Sequence, residues 1–343
     1  MSARPLIIPV FLPNLGCRGR CLFCNLKVPS EGPPSPTSVR DFIEHSLSGL
    51  LSNKKKGERQ VAFYGGSFTA MAPEVQVNYL KEVHPFLASA LIDSIRVSTR
   101  PDVLGEGVLA ILKKFGVRTV EIGAQSMSNQ VLFSANRRHR AEDTVSAISR
   151  LRHRGFEVGV HLMMGLPVDT LDCFLESLSR VIDLSPDFVR IHPTLVLKGS
   201  DLELLWRAGK YSPLSLDEAV QWLKRGLQKL ESASIPVARI GLQPTEELER
   251  NLLAGPYHPA LRHLVDSAVL FDRARHLLQT TPRESRVIFL CHPKDVSNLR
   301  GQKNENIDKL KKEYPLNEIF IHGEEELPRG SLLVQSSAPV FGP

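Results

Sequence analysis

The stretch LIIPVFLPNLGCRGRCLFC, residues 6–24, decides how the chain is read. Residues 6–12 form an apolar run of strand length. The run opens into a loop that carries Gly16 and Gly19 and three cysteines, Cys17, Cys21 and Cys24, in the spacing C-x3-C-x2-C. The glycines relax the backbone, so that three neighbouring side chains can converge on one point. Two metal centres suit such a set. One is a cubane four-iron cluster, whose chemistry follows from its ligands and surroundings; three thiolates leave its fourth iron open. The other is zinc, with His45 as a fourth ligand, although structural zinc usually takes two ligand pairs and no second pair follows here. Arg18 and Arg20 place positive charge beside thiols that must ionise to bind either centre.

Working outward, short β-type runs alternate with amphipathic stretches as far as residue 195. The runs are 6–12, 60–64, 94–98, 119–123, 157–164 and 188–195; the helical patterns lie near 37–52, 73–90, 103–115, 140–154 and 169–184. Strands separated by helices imply a parallel sheet with right-handed crossovers. Eight βα units usually need a longer chain, so the expected fold is α/β, a partial, six-stranded parallel βα barrel. Residues 13–29 form its cluster loop, and residues 1–250 belong to it. Residues 251–343 read as a helical segment followed by a small α+β extension, with strands at 286–291 and 318–322, a helix at 304–314 and a further strand at 332–335.

In such a sheet the site collects at the carboxyl ends of the strands. Gly65, Gly66 and Ser67 follow the second run, Ser98 to Asp102 the third, Gln125 and Ser126 the fourth, and Gly165, Leu166 and Pro167 the fifth. A Gly-Gly turn lets backbone approach a ligand closely, though most such turns are only turns. Ser98 offers a hydroxyl, and Arg100 or Arg138 a bidentate fork for a carboxylate, against the plainer reading of surface ion pairs. Gln125 offers an amide at a strand end.

Of 343 residues, 42% are hydrophobic and 23% charged, which suits an ordinary globular protein. No long apolar run or secretory leader is evident, so the expected setting is cytoplasmic, with no membrane association. Five cysteines, with Cys173 and Cys291 isolated, make no disulfide framework; these two read as small buried hydrophobes. The net charge is +6, and basic residues cluster at Arg137, Arg138, His139 and Arg140, at Arg150, Arg152, His153 and Arg154, and at Lys54, Lys55 and Lys56. Such clusters either track phosphates or face solvent. His161, His192, His258 and His292 match no metal-ligand spacing and read as ordinary polar-tipped side chains.

With Phe23 just before the last cysteine, the motif resembles that of the radical S-adenosylmethionine enzymes. The resemblance implies a 4Fe-4S cluster on Cys17, Cys21 and Cys24, and S-adenosylmethionine contacted by Phe23, Gly65, Gly66, Ser98, Arg100, Gln125 and Arg138. It also implies reductive cleavage to a 5′-deoxyadenosyl radical that abstracts hydrogen, with an electron donor such as flavodoxin or ferredoxin. The protein's share of such chemistry is binding and orientation. Within the superfamily the chain is similar to the radical domain of the Elongator catalytic subunit, through FYGGSFT (63–69), STRPD (98–102), VEIGAQS (120–126), Arg138-His139, IHPTLVLKGS (191–200) and LWRAGKY (205–211). That likeness implies tRNA wobble-uridine modification as the leading substrate class, and makes Lys198 and Tyr211 weak candidates for a catalytic role. The stretch after residue 280 offers no counterpart of that family's acetyltransferase domain, its cysteine spacing is longer, and Ser98 replaces its glutamate, so acetyl-CoA use is not expected to carry over. Two alternatives stand beside this reading. One is an enzyme like oxygen-independent coproporphyrinogen oxidase, through the Gly-Leu-Pro turn; the other is a non-catalytic zinc or iron–sulfur module that binds RNA.

Overall fold

Seven parallel strands curl into a half-barrel in the computed structural model, which describes residues 5–17, 19–26, 32–51, 57–280 and 286–336. Arg18, Lys54, Lys55 and Lys56 lie outside the described residues. The chain forms two compact units, Met1–Leu214 with Lys229–Pro256, and Ser215–Gln228 with Tyr257–Pro343.

The first unit runs β1 (Leu6–Phe11), α1 (Pro36–Leu51), β2 (Arg59–Tyr64), α2 (Pro73–Ala88), β3 (Ser94–Thr99), α3 (Glu106–Lys114), β4 (Val117–Gln125), α4 (Asn129–Ser134), α5 (Ala141–His153), β5 (Glu157–Met164), α6 (Leu171–Asp183), β6 (Phe188–Pro193), β7 (Val196–Leu197) and α7 (Asp201–Arg207). After α8 (Leu216–Ser232), divided between the units, come β8 (Val237–Ile240), α9 (Glu246–Asn251) and β9 (Leu252–Ala254). Sheet order is β1-β2-β3-β4-β5-β6-β8, parallel throughout, and β7 pairs with β9 in a separate ribbon. The sequence led to six strands; β8 is the seventh. It is four residues long, bracketed by Pro236 and Gly241 and interrupted by Arg239, so its composition carries little strand signal.

Strand periodicity sorts the side chains of the sheet. Val120, Ile122, Val158, Val160, Val189 and Ile191 are buried on one face. Glu121, His161, Arg190 and His192 alternate with them onto the other, the concave face. Sheets with helical crossovers bury both faces, which is why the strands read as apolar runs with few interruptions. The helices start where local chemistry allows: Pro73 supplies the fixed φ of a first turn, and Ser128 and Thr170 accept the backbone N–H of Val131 and Cys173.

In the second unit α10 (Leu261–Thr280), β10 (Arg286–Cys291), α11 (Val296–Arg300), α12 (Glu305–Glu313), β11 (Glu318–Gly323) and β12 (Leu332–Ser336) form an α+β body, with β10 parallel to β11 and antiparallel to β12. Its core gathers Leu270, Leu278, Phe289, Leu299 and Leu310 with Cys291, which is fully buried as expected. Cys173, on α6, is only half-buried.

Candidate active site

The cysteine loop is locked to the turn after β2 by backbone alone. Leu12 N–H donates to Tyr64 O (2.8 Å), Asn14 N–H to Gly65 O (2.9 Å) and Ser67 N–H to Leu15 O (2.9 Å). A Cβ on Gly66 would stand 2.3 Å from Leu15 O and 2.8 Å from Leu12 O, and one on Gly16, at φ +77°, 2.3 Å from Ser67 O. Only glycine permits two loops to interlock at these distances. On its other side the loop is held by Leu22 N–H to Ala135 O (3.1 Å), Leu202 N–H to Leu22 O (2.8 Å) and the Arg20 guanidinium on Gly199 O (2.7 Å). Phe23 packs into two apolar clusters, with Val131, Ala135 and Leu166 and with Val196, Leu202 and Tyr211, so its ring pins the loop to the barrel.

Cys17 is exposed, and Cys21 and Cys24 are half-buried. Burial raises the Cys17 and Cys24 thiols, and repulsion from Cys21 adds to it, so ionisation waits on a positive partner. Arg137 is such a partner for Cys17, acting against burial. Its Nη1 donates to Cys21 Sγ at 3.2 Å and its Nη2 to Gly123 O at 2.6 Å, while its buried Nε has no partner. Among the described residues no three His, Cys, Asp or Glu side chains close on one ion-sized point.

The rest of the rim is tied by hydroxyls: Thr99 bonds Ser67 (3.1 Å) and Thr69 (2.5 Å), and Ser67 Oγ accepts from Arg100 N (3.2 Å). Ser98 is half-buried beside them on β3. The Arg100 fork is already occupied by Asp102, at 2.9 and 2.5 Å, whose carboxyl it draws below the usual range against the opposing effect of burial. Gln125 ends β4 at φ +67°, a strained conformation for a side-chain-bearing residue, with its buried Oε1 unpartnered above Gly123. Arg138 is exposed and lies against Gly19 of the cysteine loop. It is Arg137, not Arg138, that reaches a cysteine; two adjacent arginines look alike in sequence, and only their backbone geometry says which points inward. His139 is buried, bonds Ala124 O (3.1 Å) and is held down to about 3, chiefly by burial.

Of the two weaker candidates, only Tyr211 is engaged elsewhere. Lys198 is exposed, and the Tyr211 hydroxyl donates to Gly165 O (2.6 Å). Asp169 supports the same turn by accepting from Gly165 N (2.9 Å), and burial raises its carboxyl to about 6. The basic cluster on α5 is absorbed by structure. Arg150 donates to Leu104 O, Arg152 to Leu184 O and Ser185 O, and Arg154 pairs with Glu106.

Below the rim lies a charged network that motif reading did not assemble. Glu121 accepts from Arg96 Nη1 (2.7 Å), Arg190 Nη1 (2.7 Å) and the Tyr64 hydroxyl (3.1 Å). The two arginines hold its carboxyl below the usual range although burial opposes them. Burial, with Glu121 next, pushes the Tyr64 phenol up to about 12. Beside this network the rings of His161 and His192 meet edge to face, 4.3 Å between centroids. The signal was available: charged and imidazole residues at every second position of strands otherwise apolar mark a polar interior.

Two sequence families cover most of the first unit and part of the second. The Radical SAM superfamily matches residues 12–181, and the Radical_SAM C-terminal domain matches residues 186–269. The chain belongs to the radical SAM superfamily. Among relatives of this radical SAM chain is a tRNA uridine(34) acetyltransferase of Methanocaldococcus jannaschii, 28% identical over 241 residues, 59% of this chain and 44% of that protein. An uncharacterised protein of the same organism is 30% identical over 228 residues, 62% of this chain and 68% of its own length. The archaeal Elp3 of Methanocaldococcus infernus, solved with an N-terminal deletion, superposes with a TM-score of 0.60 at 22% identity, over 81% of this chain and 64% of that one. The chain spans less than half the length of the tRNA uridine(34) acetyltransferases from the two archaea. No helix among the described residues is long and apolar enough to cross a membrane.

Proposed function

We propose that the chain is a radical S-adenosylmethionine enzyme that acts on a uridine base in tRNA. The observation that carries the reading is the interlock of the cysteine loop with the Gly65-Gly66-Ser67 turn at the strand ends, with Arg137 donating to Cys21. The donor set fits the implied groups: three soft thiols share one loop, a guanidinium donates to one of them, and the rim after the fourth strand carries a buried, unpartnered amide oxygen on Gln125. Cys17, Cys21 and Cys24 would hold a 4Fe-4S cluster; Gly65, Gly66, Ser98, Arg100, Gln125 and Arg138 would contact S-adenosylmethionine. When bound, this pair supplies reductive cleavage of a sulfonium and a 5′-deoxyadenosyl radical able to take hydrogen from an unactivated C–H bond. The chain itself binds and orients. The interlocked loops hold the thiols, Phe23 anchors their loop in two apolar clusters, and the Glu121 network ties the strands together.

The tRNA substrate rests on the relatives named tRNA uridine(34) acetyltransferase and on the net charge of +6. A flavodoxin or ferredoxin in a cytoplasmic setting would supply the electron. Anaerobically reconstituted protein with dithionite and S-adenosylmethionine should release 5′-deoxyadenosine, and more of it with tRNA present. No 5′-deoxyadenosine would refute the chemistry, and release indifferent to tRNA would refute the substrate.

A further inference from the structure

We infer that Arg137 is a positioning residue that raises the reduction potential of the cluster through Cys21; the presence of the cluster itself rests on the reading above. The charges of three arginines reach the cysteine loop, and two of them carry their own counter-ion. Arg100 acts on Cys17 but forks onto Asp102, and Arg20 acts on Cys24 while it donates to Gly199 O (2.7 Å) and stands 3.9 Å from Asp201. Arg137 differs in both respects. Its Nη1 donates to Cys21 Sγ at 3.2 Å, and among the described residues its guanidinium bonds run to that sulfur and to a carbonyl, not to a carboxylate. Backbone geometry aims it. The β4–β5 register shifts between Ile122 and Gln125, so Gly123 and Ala124 drop out of that pairing, and their carbonyls meet Arg137 Nη2 (2.6 Å) and His139 Nε2 (3.1 Å) instead. On the other side Asn136 Nδ2 donates to Arg20 O (2.7 Å) and Arg137 N–H to Leu132 O (2.8 Å). Arg137 is therefore held between the end of β4 and the backbone that precedes Cys21, by bonds that do not depend on the sulfur.

Chemistry gives the sign of the effect. Reduction adds one electron to a cluster, and part of the added charge falls on its sulfur ligands. A cation that hydrogen-bonds to a ligand sulfur stabilises the reduced form more than the oxidised one, so the potential rises; hydrogen bonds to sulfur and local charge are two of the levers by which a protein sets it. Arg137 is half-buried, so solvent screens its charge less than that of exposed Arg138 next to it. A hydrogen bond to a charged group shifts an equilibrium about tenfold or more, and for a one-electron couple tenfold is about 59 mV. The consequence for function is an easier entry of the electron from a protein donor.

The test titrates the full chain, reconstituted anaerobically and held without S-adenosylmethionine, with dithionite as the electron source under electron paramagnetic resonance, each variant's signal being scaled to the cluster it retains. Arg137→Leu should shift the reduced-to-oxidised ratio at a given potential about tenfold toward oxidised, a midpoint about 59 mV lower. Arg137→Gln, neutral but polar, should fall in the same direction and supplies the second reading if the leucine variant loses its cluster. Arg137→Lys, which keeps the charge, should restore part of the midpoint, and Arg207→Leu, which removes an exposed arginine paired with Glu203, should leave it unchanged. A merely structural Arg137 would cost iron without moving the midpoint; that result, or a midpoint that rises, would overturn the proposal. A wild type that holds zinc and shows no reducible signal would refute the cluster reading and the proposal with it. A lowered midpoint in a chain that releases no 5′-deoxyadenosine would instead refute the radical chemistry and leave the role of Arg137 standing.

Discussion

Replacing Glu121 with alanine tests whether the half-barrel floor is a dry, charge-paired layer. The carboxylate is 3% exposed and is shared by Arg96, 8% exposed, and Arg190, 20% exposed. Its removal leaves two cations and the Tyr64 hydroxyl without their acceptor in a site that water reaches poorly. Breaking a buried ion pair by deleting one partner costs about 3–5 kcal/mol, because the remaining charge stays desolvated. With a Tm response of about 2–4 °C per kcal/mol for a domain of 150–250 residues, the loss should lower Tm by roughly 6–20 °C. Glu121→Gln, which keeps one acceptor oxygen, should lie between wild type and alanine. Differential scanning calorimetry on the anaerobic protein reads the shift. A Glu121→Ala protein melting within about 2 °C of wild type would refute the reasoning, since it would mean that the arginines are solvated after the change.

Three further outcomes follow from the site. Gly66→Ala pushes a Cβ into the carbonyl of Leu15 that Ser67 N–H binds, so iron bound per chain should fall well below wild type, whereas Gly105→Ala, which meets nothing within 4 Å, should leave it unchanged. Arg137→Leu removes the donor on Cys21 and should lower iron retention under chelator challenge, with Arg138→Leu much milder by the same measure. Asp169 binds its proton more tightly folded, at about 6, than unfolded at about 3.9, so it lowers stability as pH rises through that window, by up to roughly 3 kcal/mol. Urea midpoints should therefore show wild type losing more stability than Asp169→Asn between pH 4 and 6, and parallel curves would contradict the assignment.

Much of the barrel was legible because buried parallel strands are written as apolar runs and their crossover helices as amphipathic ones. Six of the seven strands stand where the pattern put them. β8 escaped because Pro236 and Gly241 frame a four-residue strand whose hydrogen bonding to β6, not its composition, makes it a strand. α4 escaped for a similar reason: six residues are too few to display helical periodicity. In the site, spacing alone located the three cysteines and the glycine turns, since short-range backbone chemistry is local. Pairings across the sheet were not legible. Nothing local says that Arg137 faces Cys21 while Arg138 faces outward, or that Arg100 spends its fork on Asp102 two residues away. The α5 arginines show the converse, where a charge cluster suggestive of phosphate binding donates to carbonyls and one carboxylate of its own fold. His161 and His192 were dismissed by a metal-spacing rule, although they lie on neighbouring strands and meet only in three dimensions.

The central claim is that the cysteine loop carries a cluster with an iron open to S-adenosylmethionine. Anaerobic iron and sulfide analysis with electron paramagnetic resonance, on wild type and Cys21→Ala, with and without S-adenosylmethionine, tests it most directly. The account expects about four irons and four sulfides per chain, as a cubane requires, and a reduced-cluster signal that changes on adding S-adenosylmethionine and is lost in the variant. Zinc in place of iron, or a cluster signal indifferent to S-adenosylmethionine, would contradict it.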